Sequence, residues 1–149
     1  MNTNNTHITK RRPDPFDGSA PARLAHMGLL RKDGSPETGA MAVFIRIFAG
    51  SFFDEVCDFY DNPQQIKAVL SAFSELAERA DSKRLFLLLS LQYDTLRKPM
   101  PEPVWWLAGD MELLRTFTLG FSACLLELAA QATEDGKEAA CETAACRPQ

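Results

Sequence analysis

Histidine is nearly missing from this chain. Two are present in 149 residues, His7 and His26, and the four cysteines (Cys57, Cys124, Cys141 and Cys146) include no Cys-x-x-Cys pair. Zinc sites draw on closely spaced sets of these residues, so no such site is expected. The eight glycines are scattered, which rules out a glycine-rich phosphate loop. The sequence has no H-E-x-x-H, no G-x-S-x-G, no EF-hand loop and no paired E-x-x-H for a di-metal bundle. Neither histidine lies within an apolar stripe, so a Cys–His or Ser–His nucleophile is not suggested. The expectation is a non-enzymatic protein with no metal or cofactor.

Basic clusters are also scarce. The net charge is −4, whereas wrapping nucleic acid needs clustered Lys and Arg. The segment 63–80 offers only Lys67 and Arg79, diluted by Glu75 and Glu78. "LAERADSKRLFLLL" has a faint helix-turn-helix look, but its second half is too apolar to lie in a groove. A nucleic-acid partner is therefore not expected. Residues 1–34 carry six basic and three acidic side chains, and residues 101–149 carry three basic and eight acidic ones. Solvated termini account for that polarity. The uninterrupted apolar runs are broken by Arg46 or Ser90 and are too short for a bilayer span. With no signal peptide in the sequence, the expected compartment is the reducing cytoplasm.

Apolar residues make up 46% of the chain, ample for a core at this length. Residues 1–20, rich in Asn, Thr, Pro and Asp, read as a flexible arm. "PARLAHMGLLR" allows a short helix over 21–31, and "KDGSPETG" reads as a turn. Ser35 and Pro36 form a cap and first turn for a helix. Met41, Ile45, Phe48, Phe52, Val56 and Phe59 follow it at spacings of three and four. Asn62 and Pro63 open the next helix, whose apolar face is Ile66, Val69, Leu70, Phe73, Leu76, Ala77 and Ala80. Asp81 or Ser82 caps "RLFLLLSLQYDTLRK". Its leucines cover most of a wheel, so it reads as a helix buried all round. Cys57 and Cys124 fit as small buried hydrophobes.

"PEPVWWLAGDMELL" opens the last helix, with Pro103 at its start and its end near Thr133. Val104, Leu107, Met111, Leu114, Thr118, Phe121, Leu125 and Leu128 recur in a heptad pattern. Trp106, Leu113, Phe117 and Cys124 make a second stripe beside it, bordered by Gly109 and Gly120. Together they fill roughly half the circumference, wider than the ~100° of an ordinary surface helix. Two arrangements satisfy this. The helix is central in a bundle, or one stripe faces its own domain and the other a second chain.

Adjacent helical residues point about 100° apart, so the two indoles serve different contacts. Trp106 falls in the apolar arc. Trp105 falls on the more polar side, as an exposed anchor or as a lid on the proline-rich connection. Asp110 falls among Trp106, Leu107, Leu114 and Phe117, where a carboxylate needs a partner such as Arg46 or Arg84.

The sequence thus predicts an all-α fold, a small bundle of about four main helices over residues 21–133. It is flanked by a flexible arm (1–20) and a flexible acidic tail (134–149). The expected function is a dimeric regulator or inhibitor that binds another protein through apolar helical surface. The interface candidates are Trp105, Leu113, Phe117, Phe121, Leu125 and Leu128, and Asp110 is the buried polar candidate. The alternatives are a helical sensor or enzyme whose apolar arc lines a small-molecule cavity, and a nucleic-acid-associated transcriptional regulator.

Overall fold

The computed structural model describes residues 14–144, with side chains through 132. Residues 1–13 of the expected arm and 145–149 of the expected tail, Cys146 included, lie outside it. The fold is all helical among the described residues, with six helices instead of about four: α1 (Ala20–His26), α2 (Thr38–Phe59), α3 (Pro63–Arg79), α4 (Ser82–Thr95), α5 (Glu102–Trp105) and α6 (Met111–Ala144). A 3₁₀ turn, Trp106–Gly109, joins the last two.

Capping chemistry sets several of these boundaries. The Asn62 side chain accepts hydrogen bonds from the amides of Gln64 (2.8 Å) and Gln65 (3.3 Å), with Pro63 at the first helical position. Asp81 accepts from the amide of Arg84 at 3.0 Å and starts α4. α1 ends as a Schellman motif, where Leu29 N–H reaches Leu24 C=O and Gly28 N–H reaches Ala25 C=O. Gly28 takes φ +83°, a conformation that favours glycine.

Ser35 does not cap α2 as the sequence suggested. Its hydroxyl and amide are both held by Asp33 (2.6 and 2.9 Å), and Pro36 pairs with Leu30 in an isolated antiparallel bridge. α2 therefore begins two residues after that bridge, with Glu37 at the cap position.

α6 is the central element, packed by α2, α3 and α4, while α1 packs on the 3₁₀ turn. The four long helices meet at Phe121. Its ring lies 5.2 Å from Phe52 of α2, 6.1 Å from Phe73 of α3, 6.4 Å from Tyr93 of α4 and 5.1 Å from Phe117 on α6 itself. Two polar side chains are buried on α6, Thr118 and Ser122. Each is satisfied locally, Thr118 donating to Leu114 C=O at 2.7 Å and Ser122 to Leu119 C=O at 3.0 Å.

Three expectations about the helices change. First, the last helix does not run unbroken from Pro103. The backbone becomes extended at Asp110 (φ −139°, ψ 103°), and α6 starts afresh at Met111. Second, α6 does not stop near Thr133 but continues to Ala144. Gly136 costs only about 1 kcal/mol in a helix interior, and the alanines, glutamates and lysine around it are good helix formers. Third, α4 is not buried all round. Leu85, Leu89 and Tyr93 face α6 and are buried, but Leu87 and Leu91 face outward. Cys57 is likewise exposed instead of buried.

One described helix, over Met111–Ala132, is long and apolar enough to cross a bilayer by length and composition, and 44% of that window is buried inside the fold. The uninterrupted runs alone had suggested no such segment.

A candidate protein-binding surface

The apolar arc of α6, which the sequence left open between the centre of a bundle, an interface with a second chain and a cavity wall, is largely filled by its own chain. Leu113, Phe117, Phe121 and Leu125 are fully buried. As interface candidates these four are corrected, because α2, α3 and α4 close over them. Leu128 is half-buried. The two glycines beside the second stripe do admit close neighbours, but these too belong to the same chain. A Cβ at Gly109 would strike Ala20 and the Pro15 carbonyl, and one at Gly120 would meet the Ile45 side chain.

Trp105 is half-buried, not an exposed anchor. Its ring lies 5.3 Å from Phe86 in an edge-to-face arrangement, and Phe86 in turn meets Phe16 at 6.2 Å. Trp106 is buried, as its place in the arc suggested. Its Nε1 donates to Glu102 Oε2 at 3.2 Å, and the Arg23 guanidinium lies 5.0 Å from the ring centre.

Asp110 is not a buried acid and has no ion pair with Arg46 or Arg84. It is the N-cap of α6, its Oδ1 accepting from the amides of Glu112 and Leu113, both at 3.1 Å. A carboxylate there also favours the positive end of the helix dipole. The wheel misplaced it by assuming one continuous helix through the 3₁₀ turn.

Nucleophilic chemistry has little support among the described residues. Partial desolvation pushes the thiol of the exposed Cys57 up, helped by the carboxylates of Asp54 and Asp58. Burial also raises that of Cys124, helped by Glu127 and opposed by Arg46. Reactive cysteines need the opposite shift. No group of three or more His, Cys, Asp or Glu is placed to hold a metal ion among the described residues. A small cleft of about 340 Å³ lies between α1 and α5, with Arg23, His26, Glu102 and Trp106 in its walls. Its arginine, carboxylate and indole already engage one another.

The feature that stands out is an open trough of about 440 Å³ between α3 and α4. Leu76, Arg79 and Ala80 form one wall, at spacings of three and four. Arg84, Leu87, Leu88 and Leu91 form the other at the same helical spacing. The two helices diverge from the Ala80–Asp81 turn, which Arg115 of α6 pins by donating from Nη2 to the Ala80 carbonyl at 2.9 Å.

Three leucines of the trough are open to solvent: Leu76 is 52% exposed, Leu87 61% and Leu91 48%. Covering a leucine fully is worth about 1.5–3 kcal/mol, so a cluster of three is a surface that gains by association. Arg79 and Arg84 flank it, exposed and without an ion pair among the described residues.

Sequence reasoning placed Leu76 on a buried face and Leu87 and Leu91 inside a fully buried helix. The available signal was the spread of leucines around α4, more than one neighbouring helix can cover. No family model matches the chain, and no curated protein or solved structure matches it.

Proposed function

We propose that this chain is a non-enzymatic interaction protein, a dimeric regulator whose α3–α4 surface binds protein. The observation that carries the reading is the exposure of Leu76, Leu87 and Leu91 side by side around one trough. An apolar helix face laid into such a trough is a common mode of recognition. Two arginines at the rim add orientation more than affinity. The stripes on α6 serve the chain's own core in this reading, and the binding surface moves to the helices that surround it. The working compartment is the cytoplasm, where an exposed Cys57 stays reduced.

The test is a photo-crosslinking amino acid placed at position 87, with position 67 on the exposed side of α3 as control. Irradiation in the native host should give one dominant protein adduct at position 87, identified by mass spectrometry, and none at position 67. No adduct at position 87, or the same diffuse set at both, rejects the reading.

A further inference from the structure

The exposed positions of α4 are disposed symmetrically about Leu89. Leu87 and Leu91 stand two residues before and after it. Arg84 and Asp94 stand five before and five after. All four are exposed, whereas Leu89 itself points into the core. We propose that α4 pairs with α4 of a second copy of this chain, antiparallel about a two-fold axis level with Leu89. The proposal rests on the reading that the α3–α4 surface binds protein, and it commits that surface to one occupant.

Such symmetry is what an isologous interface requires. A two-fold axis matches residue i of one copy with residue j of the other, and j with i. Antiparallel helices centred on Leu89 bring Leu87 level with Leu91 of the second copy, and Arg84 level with its Asp94. The helical rise separates Arg84 from Asp94 by about 15 Å along the axis, so the two pairs sit at opposite ends of the contact with leucines between them.

Arg84 and Asp94 side chains have no hydrogen bond or ion pair within the chain among the described residues, so both charges are free to engage. The same pairing sets Arg84 beside the carboxyl end of the opposing helix, where the dipole favours a cation. Parallel pairing would instead set Arg84 against Arg84. Arg97 is a charge of the wrong sign at the α4 end, whereas Lys98 is occupied by Glu55 at 3.4 Å. A face this small falls at the low end of specific interfaces and gives a weak dimer, with Leu76 and Arg79 of α3 at its border.

The experiment is sedimentation equilibrium over a wide concentration range on the full chain and three variants: Arg84→Asp, Asp94→Arg and the double reversal. Each reversal suits the dipole at its own helix end, and circular dichroism with a denaturation midpoint confirms folding. The full chain should show a monomer–dimer equilibrium. The symmetric contact holds each pair twice, so either single reversal should weaken it about tenfold or more. The double reversal should recover most of that loss, since the pairing is restored with its signs exchanged, while the contribution of the opposing helix dipole is not.

A chain that stays monomeric throughout overturns the proposal. A dimer indifferent to both reversals, or one that the double reversal fails to restore, overturns it equally. A position-87 adduct with a different protein, alongside a monomeric chain, would reject self-pairing and leave the binding surface standing. Absence of any adduct would reject the surface itself.

Discussion

Asp110 Oδ1 and the backbone amide of Leu113 are 3.1 Å apart, and this bond starts the central helix anew after the 3₁₀ turn. Replacing Asp110 by Ala should cost about 1 kcal/mol of folding stability, the usual value of an N-cap. Asp110→Ser should recover most of it, because a hydroxyl can accept the same bond. Urea denaturation of the three proteins checks this. Equal loss in both variants would mean that the carboxylate serves something other than the cap.

Gly109 supplies the second constraint on that junction. A methyl group there would collide with Ala20 Cβ and the Pro15 carbonyl. Gly109→Ala should therefore destabilise by about 1–3 kcal/mol, the range for overpacking. Adding Ala20→Gly should recover only part, since the Pro15 carbonyl remains. Thermal or denaturant unfolding of the single and double variants measures the recovery.

Leu87 and Leu89 are two residues apart on α4 and have opposite fates. Leu89 is fully buried and Leu87 is 61% exposed. Leu89→Ala should cost about 2–5 kcal/mol, whereas Leu87→Gln should stay within about 0.5 kcal/mol in the dilute chain. Comparable losses at both sites would restore the idea of a helix buried all round.

Tyr93 provides a pH test of the core. Burial pushes its hydroxyl well above the ordinary tyrosine value, and the hydroxyl has no hydrogen-bond partner among the described residues. The folded state thus holds that proton more tightly than the unfolded state. The resulting stability is fully present below the unfolded pKa of about 10 and is lost as pH rises above it towards the folded value. Tyr93→Phe should be close to neutral at pH 7 and should lose less stability than the parent between about pH 10 and pH 11. An identical alkaline decline in both proteins would show that Tyr93 is not its source.

The local signals were the legible ones. Asn62 before Pro63, and Asp81 before an apolar run, each marked a helix start because the capping bond forms within three residues. Asp110 is the same residue type in the same role. It went unread because the three-and-four spacing of apolar residues continues straight through the 3₁₀ turn. Gly109 followed by Asp110 was the available stop-and-cap signal. The misplacement then carried over to Trp105, whose side of the wheel was reckoned on a helix that does not continue.

Composition, apolar period and caps therefore determined that the chain is helical, where most of its helices begin, and that α6 needs cover on two sides. Which chain gives that cover was left to the tertiary structure, because an apolar stripe is the same whether its partner comes from within or from another molecule. Here α2, α3 and α4 surround α6 and use up its arc. α4 packs on α6, and more lightly on α2 and α3, along one side only, so, apolar on nearly every side, it keeps Leu87 and Leu91 in solvent. Burial depends on how many elements can crowd around one another in space, and no window of sequence contains that count.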